Sequence, residues 1–219
     1  MSPTYLTPGV YADNGVFVCF EGGEGSGKST QSRLLGEWLS GEGYDVLQTF
    51  EPGDTEVGRK LREIVLSPET GELSDRTEAL LYAADKAEHV DTVVRPALDR
   101  GAVVITDRYV DSALAYQGAG RTLEFTHVEL VNRWATNDLR PHLTVVLDLP
   151  HESGLGRFEG RDRIEQEGDE FHLRVRAAYL ELAAADPDHY LVLDAHDEVD
   201  TIAAAVRERL APLLSQARR

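Results

Sequence analysis

Gly22-Gly23-Glu24-Gly25-Ser26-Gly27-Lys28-Ser29, read with the apolar run Val16-Phe17-Val18-Cys19-Phe20 before it and a helical pattern after it, decides the architecture of this chain. The octet fits the pattern G-x-x-x-x-G-K-S between a buried strand and a helix. The glycines let backbone N–H groups converge on phosphate oxygens, and the start of the following helix adds a favourable dipole. Lys28 can then reach the β and γ phosphates and Ser29 can bind Mg2+. The candidate ATP-binding residues are Gly22, Gly23, Gly25, Ser26, Gly27, Lys28, Ser29 and Thr30.

Working outward, residues 15–20 form a short continuous apolar run that suits a strand buried on both faces. Over 28–39, Leu34, Leu35, Trp38 and Leu39 recur at helical spacing, and Gly41 and Gly43 stop the helix. Residues 44–49, 102–106, 143–147 and 190–193 read as further β-rich runs, separated by long helical patterns such as 77–98 and 171–185. Strands alternating with helices imply βαβ crossovers. The predicted fold is therefore α/β, with a five-stranded, mostly parallel sheet and helices on both faces. Ligands of such sheets bind at the carboxyl ends of the strands. Residues 1–13, with Pro3, Pro8, Gly9 and no hydrophobic period, read as a flexible tail, leaving 14–219 as one domain.

Composition narrows the function classes. With 39 Asp and Glu against 22 Lys and Arg, the net charge of -17 would repel a polyanion, so nucleic-acid binding is disfavoured. Only Lys28, Lys60 and Lys86 are lysines, and an acidic, lysine-poor surface suits a high-salt cytosol, which makes a halophilic habitat an expectation. No apolar stretch approaches the ~20 residues that span a bilayer, and no signal-like segment precedes the domain, so a cytoplasmic protein with no membrane partner is expected. The single cysteine, Cys19, lies in an apolar run and reads as a core residue.

Three further features fall near strand ends. Asp107-Arg108-Tyr109 follows the run 102–106, where a carboxylate can hold metal-bound water and a planar guanidinium can grip a second phosphate. Arg157, Arg161 and Arg163 lie in a stretch of low apolar content that reads as a lid over about 152–168, able to bring positive charge to a phosphoryl group on closure. Glu51-Pro52-Gly53 ends the second strand, and Arg62 on the following helix can turn back toward the same cleft.

Taken together, EGGEGSGKST, EPGDT, LLYAADKAEHV, DRYVDSALAYQGAGR and GRDRIEQEG, in this order over roughly 15–195, resemble the thymidylate kinases, P-loop nucleoside monophosphate kinases that phosphorylate dTMP with ATP and Mg2+. The resemblance implies that Lys28 and Ser29 serve ATP and its metal and that Glu24 sits near the sugar 3′-hydroxyl. It implies that Asp107 organises metal and acceptor phosphate, while Arg108 and Arg62 hold that phosphate. Tyr82 would stack on thymine, Lys86 would stand where an arginine commonly bonds O4, and Tyr116 and Gln117 would line the base or sugar pocket. Glu51 and Ser112 complete the expected dTMP set. The expected catalytic residues are Lys28, Asp107, Arg157 and Arg161, with Ser29 and Asp107 toward the metal. A homodimer is also implied, and the helix over 77–98 is a candidate interface whose apolar positions equally suit a core.

Phe50, Lys86 and a lid a few residues shorter than in common bacterial members depart from the family's pattern, and Tyr82 and Gly25 differ from residues found in other members. Phe50 precedes Glu51 where bacterial relatives usually carry Arg, Lys86 replaces a planar fork by a point charge, and Tyr82 replaces Phe. Gly25 stands where some members carry a catalytic arginine, so the charge on the transferred group must be met elsewhere, and the arginines over 157–163 are the available source. Two alternatives remain at this point. Another P-loop monophosphate or deoxynucleoside kinase would share the first motif but not the set. A nucleotide-binding regulatory module would leave the second phosphate grip unexplained, and no guanine-specifying N-K-x-D motif occurs.

Overall fold

A computed structural model describes residues 9–150 and 162–217. Five parallel strands, β1 (Val16–Glu21), β2 (Val46–Phe50), β3 (Val103–Asp107), β4 (Leu143–Asp148) and β5 (Tyr190–Asp194), form one sheet in the order β2-β3-β1-β4-β5. The helices are α1 (Lys28–Gly41), α2 (Glu56–Leu66), α3 (Asp75–His89), α4 (Arg95–Asp99), α5 (Val110–Ala113), α6 (Phe125–Ala135), α7 (Asp169–Ala185) and α8 (Val199–Leu210).

Alternation along the central strand divides the core. Val16, Val18 and Phe20 of β1 pack with Leu35 and Leu39 of α1 and with Ile202, Val206 and Leu210 of α8. Phe17 and Cys19 point the other way, into Val94, Leu98, Leu114, Val128 and Leu182. Successive side chains of a strand leave on opposite faces, so a strand covered on both sides must be apolar throughout. The expected core role of Cys19 agrees with its burial. The edge strands β2 and β5 are less buried than the three between them.

Two readings need adjustment. The single helix expected over 77–98 is α3, then a π-helical turn at Val90–Val94, then α4. Pro96 supplies the reason: it lacks an N–H and its ring crowds the carbonyl four residues back, so the ladder widens before it. Within the stretch expected as tail, Val10 is tied to the body, its N–H donating to Asp138 O at 2.9 Å and its carbonyl accepting from Arg140 N at 2.8 Å. The Tyr11 ring stacks on His189 with centroids 4.7 Å apart.

Candidate active site

Phe20 of β1 and Phe50 of β2 both lie opposite Asp107 of β3, so three strands end at one level and their turns surround one cleft. Gly22 opens the first turn at φ 132°, and a Cβ there would lie 2.4 Å from Leu147 O, a place only glycine can occupy. Gly25, Gly27, Lys28, Ser29 and Thr30 line a pocket at this loop, and Gly22, Gly23 and Ser26 are its remaining expected residues. The buried Lys28 ammonium donates to Gly22 O at 3.2 Å and Gly23 O at 2.9 Å. Burial, and then the Arg108 charge, push its pKa below the ordinary lysine range. Ser26 Oγ is buried without a hydrogen-bond partner, a donor that a phosphate oxygen would satisfy.

Ser29 Oγ donates to Asp107 Oδ2 at 2.8 Å. Two hard oxygen donors so close suit Mg2+, which takes one or two protein oxygens and completes its shell with water and substrate phosphates. Among the described residues there is no cluster of three or more His, Cys, Asp or Glu side chains able to hold a metal without such help.

A second pocket adjoins the first. Its walls include all nine residues expected on the acceptor side: Glu24, Glu51, Arg62, Tyr82, Lys86, Arg108, Ser112, Tyr116 and Gln117. Leu66 and Ile164 add apolar surface. Glu24, Glu51, Arg62 and Arg108 belong to both pockets. Arg108 has left-handed backbone, φ 71°, uncommon for a residue with a side chain and often found at functional sites. Its guanidinium lies 5.0 Å from the centroid of the Tyr116 ring and donates to Gly22 O at 3.3 Å and to Ser112 Oγ at 3.2 Å. It also pairs with Glu24. Burial would raise the Glu24 pKa, but the Arg108 and Lys28 cations outweigh it and hold the carboxyl at about 2.

Around Lys86 the pocket is backed by charges. Lys86 is buried with its Nζ 3.4 Å from Glu51 Oε2, and the other Glu51 oxygen lies 2.7 Å from His89 Nδ1. That hydrogen bond raises the His89 pKa against the opposing effect of burial. Lys86 thus arrives already paired, its Nζ 5.7 Å from the centroid of the Tyr82 ring. Arg62 turns back as expected, donating to Pro52 O at 2.7 Å with its guanidinium 5.8 Å from the centroid of the Phe50 ring. Phe50, the residue before Glu51, thus offers an aromatic platform to the cation from α2.

Sequence reasoning passed over two buried carboxylates. Glu21, fully buried at the end of β1, accepts from Tyr109 N at 2.8 Å, Ser112 N at 3.1 Å, Ser112 Oγ at 2.6 Å and Tyr179 Oη at 2.8 Å, and so fixes the turn that carries Arg108. Its signal was a lone acid closing an apolar run. Glu78 of α3 ties Gln117, Arg121 and Arg163 together. Arg163, one of the three arginines of the expected lid stretch, donates to Val65 O at 2.9 Å and to Glu78, tying the segment after 161 to α2 and α3. Arg157 and Arg161 lie outside the described residues, as does most of the expected lid.

The model of the family described as thymidylate kinase matches residues 20–206. The thymidylate kinase of Cutibacterium acnes is 55% identical over 202 residues, covering 92% of this chain and 99% of that protein. That of Clavibacter michiganensis subsp. michiganensis is 52% identical over 205 residues, covering 92% and 97%. Among solved structures, the thymidylate kinase from Ehrlichia chaffeensis superposes with a TM-score of 0.76 at 30% identity, covering 90% of this chain and 99% of that one. A parallel α/β sheet with a phosphate loop, a second pocket sharing its walls and this degree of likeness along the chain place it in the thymidylate kinase family, whose members are phosphotransferases.

Proposed function

We propose that this chain transfers the γ-phosphate of ATP to dTMP, giving dTDP and ADP, with ATP at the 22–30 loop and dTMP in the adjoining pocket. The observation that carries the assignment is the shared wall: Arg108 and Glu24 face both pockets, so the two phosphates to be joined meet at one place. Lys28 leaves the Gly22 and Gly23 carbonyls to neutralise the β and γ phosphates, and the Ser26 hydroxyl and loop amides complete the cradle. Arg108, pre-placed by Tyr116 and Ser112, and Arg62 hold the acceptor phosphate. Tyr82 supports the thymine ring while Lys86 and Gln117 meet its edge.

Ser29 and Asp107 would hold Mg2+, which would supply positive charge to neutralise the phosphates during transfer. With glycine at position 25, the remaining positive charge comes from Arg157 or Arg161. The acidic surface suits a cytoplasm of high ionic strength. The layer formed by α2, α3 and α6 exposes Leu80, Leu130 and Trp134, the last 83% exposed, and this is the face through which two copies form a homodimer.

Comparing dTMP, dUMP, dCMP, dGMP and thymidine as acceptors tests the assignment. A strong preference for dTMP, with dUMP next, is expected. Preference for any other acceptor points to a different nucleotide kinase, and ATP turnover unmoved by millimolar dTMP points to a regulatory nucleotide-binding module.

A further inference from the structure

Glu78 is 1% exposed, and donors occupy both of its oxygens. Oε1 accepts from Gln117 Nε2 at 3.0 Å and Arg121 Nε at 3.1 Å, and Oε2 accepts from Arg121 Nη2 at 3.0 Å and from Arg163. A carboxylate between two guanidinium groups stays ionised, and an ionised carboxylate can only accept hydrogen bonds. Gln117, itself 2% exposed, has one donating and one accepting end. Turned the other way, its amide oxygen would face a buried anion with no proton between them. One Nε2 hydrogen is therefore committed to Glu78, which fixes the orientation of the amide and sets its oxygen on the side away from Glu78, as an acceptor for the pocket that Gln117 lines. Lys86 supplies a donor in the same pocket. An acceptor together with a donor complements a pyrimidine that carries N3–H and a carbonyl at C4. Cytosine offers the reverse, an N3 acceptor and an amino group at C4.

We propose that Glu78 is a positioning residue that fixes which end of the Gln117 amide faces the base, and so sets the preference for thymine or uracil over cytosine. Glu78 does not line the pocket and acts through Gln117. The inference rests on reading this pocket as the dTMP site.

The test is the ratio of kcat/KM for dTMP to that for dCMP, with ATP as donor. In Glu78→Gln the neutral side chain can accept or donate, so the Gln117 amide can turn over. The ratio is expected to fall ~10-fold or more, through the dTMP KM, with the ATP KM unchanged. Equal losses for both acceptors, with the ratio kept, mean a merely structural role and overturn the inference while leaving the dTMP assignment in place.

The exchange Glu78→Gln with Gln117→Glu decides the matter independently of whether the single variant folds. Position 78 then donates, position 117 presents a carboxylate oxygen as acceptor to the base, and the dTMP preference is expected to return to within ~3-fold of wild type. A folded exchange variant without that preference refutes the polarity argument. A wild-type enzyme that does not use dTMP removes the reading of the pocket, and the inference with it.

Discussion

Replacing Glu21 by alanine tests how the acceptor-side turn is held. Its Oε1 accepts from two backbone N–H groups, those of Tyr109 and Ser112, and its Oε2 from two hydroxyls, those of Ser112 and Tyr179. The hydroxyls lie 2.9 Å apart and can satisfy each other, whereas the two N–H groups lose their acceptor in a buried place. Each unsatisfied buried donor costs about 1–3 kcal/mol, so the expected loss is about 4 kcal/mol. Against a total stability of about 5–15 kcal/mol this is a large fraction. Glu21→Gln keeps one carbonyl oxygen for both N–H groups and is expected to cost about 1–2 kcal/mol. Urea titration followed by circular dichroism reads the difference: with a slope of about 2 kcal/mol/M, the midpoint falls by about 2 M for alanine and by less than about 1 M for glutamine. The dTMP KM of both variants rises, because Arg108 rides on the same turn. An alanine variant within about 0.5 M of wild type, or a glutamine variant worse than it, refutes the hub.

Lys28→Ala should lower turnover by ~10²-fold or more with dTMP affinity retained, since a preorganised electrostatic contact is worth a few kcal/mol, and ADP release reads it. Arg108→Ala should weaken dTMP more than ATP; a rise in the ATP KM alone contradicts its place. Chelation should abolish turnover, and Ser29→Ala should raise the Mg2+ concentration giving half-maximal rate, which a metal titration measures. Burial, and then the Glu51 carboxylate, raise the Asp85 pKa from 3.8 to about 6, so the folded state holds a proton that the unfolded chain releases between about pH 4 and 6. Stability from this group is present at low pH and lost as pH rises through that window. The advantage of Asp85→Asn should therefore grow from pH 4 to 6, by up to about 3 kcal/mol, and then level off, as denaturant titrations across pH would show. Trp134→Ser should shift the molecule toward monomer in analytical ultracentrifugation; no shift would free α6 of an interface role.

The strands could be read because a doubly covered parallel sheet writes itself as apolar runs bounded by turns, and all five were placed within a residue or two of their ends. The phosphate loop was legible for the same local reason. The break in the 77–98 helix left a trace in Pro96, whose effect falls on the turn before it rather than on itself. What the sequence hid were contacts between distant residues: Glu21 meets Tyr179 across 158 positions, and Glu78 meets Arg163 across 85. Nothing local distinguishes such a carboxylate from a solvated one, and nothing local gave the partners of Arg163.

Arg108 spends its positive charge on Glu24 before any acceptor arrives. With the acceptor phosphate at Arg108 and ATP at Lys28, as proposed, an incoming phosphate competes with an internal carboxylate, and whatever ATP does to Glu24 through Lys28 alters the terms of that competition. On that reading the two substrates are thermodynamically linked. If ATP changes dTMP affinity by some factor, dTMP changes ATP affinity by the same factor. A single ion pair on a shared wall thus lets each site report the occupancy of the other without any distant movement of the fold.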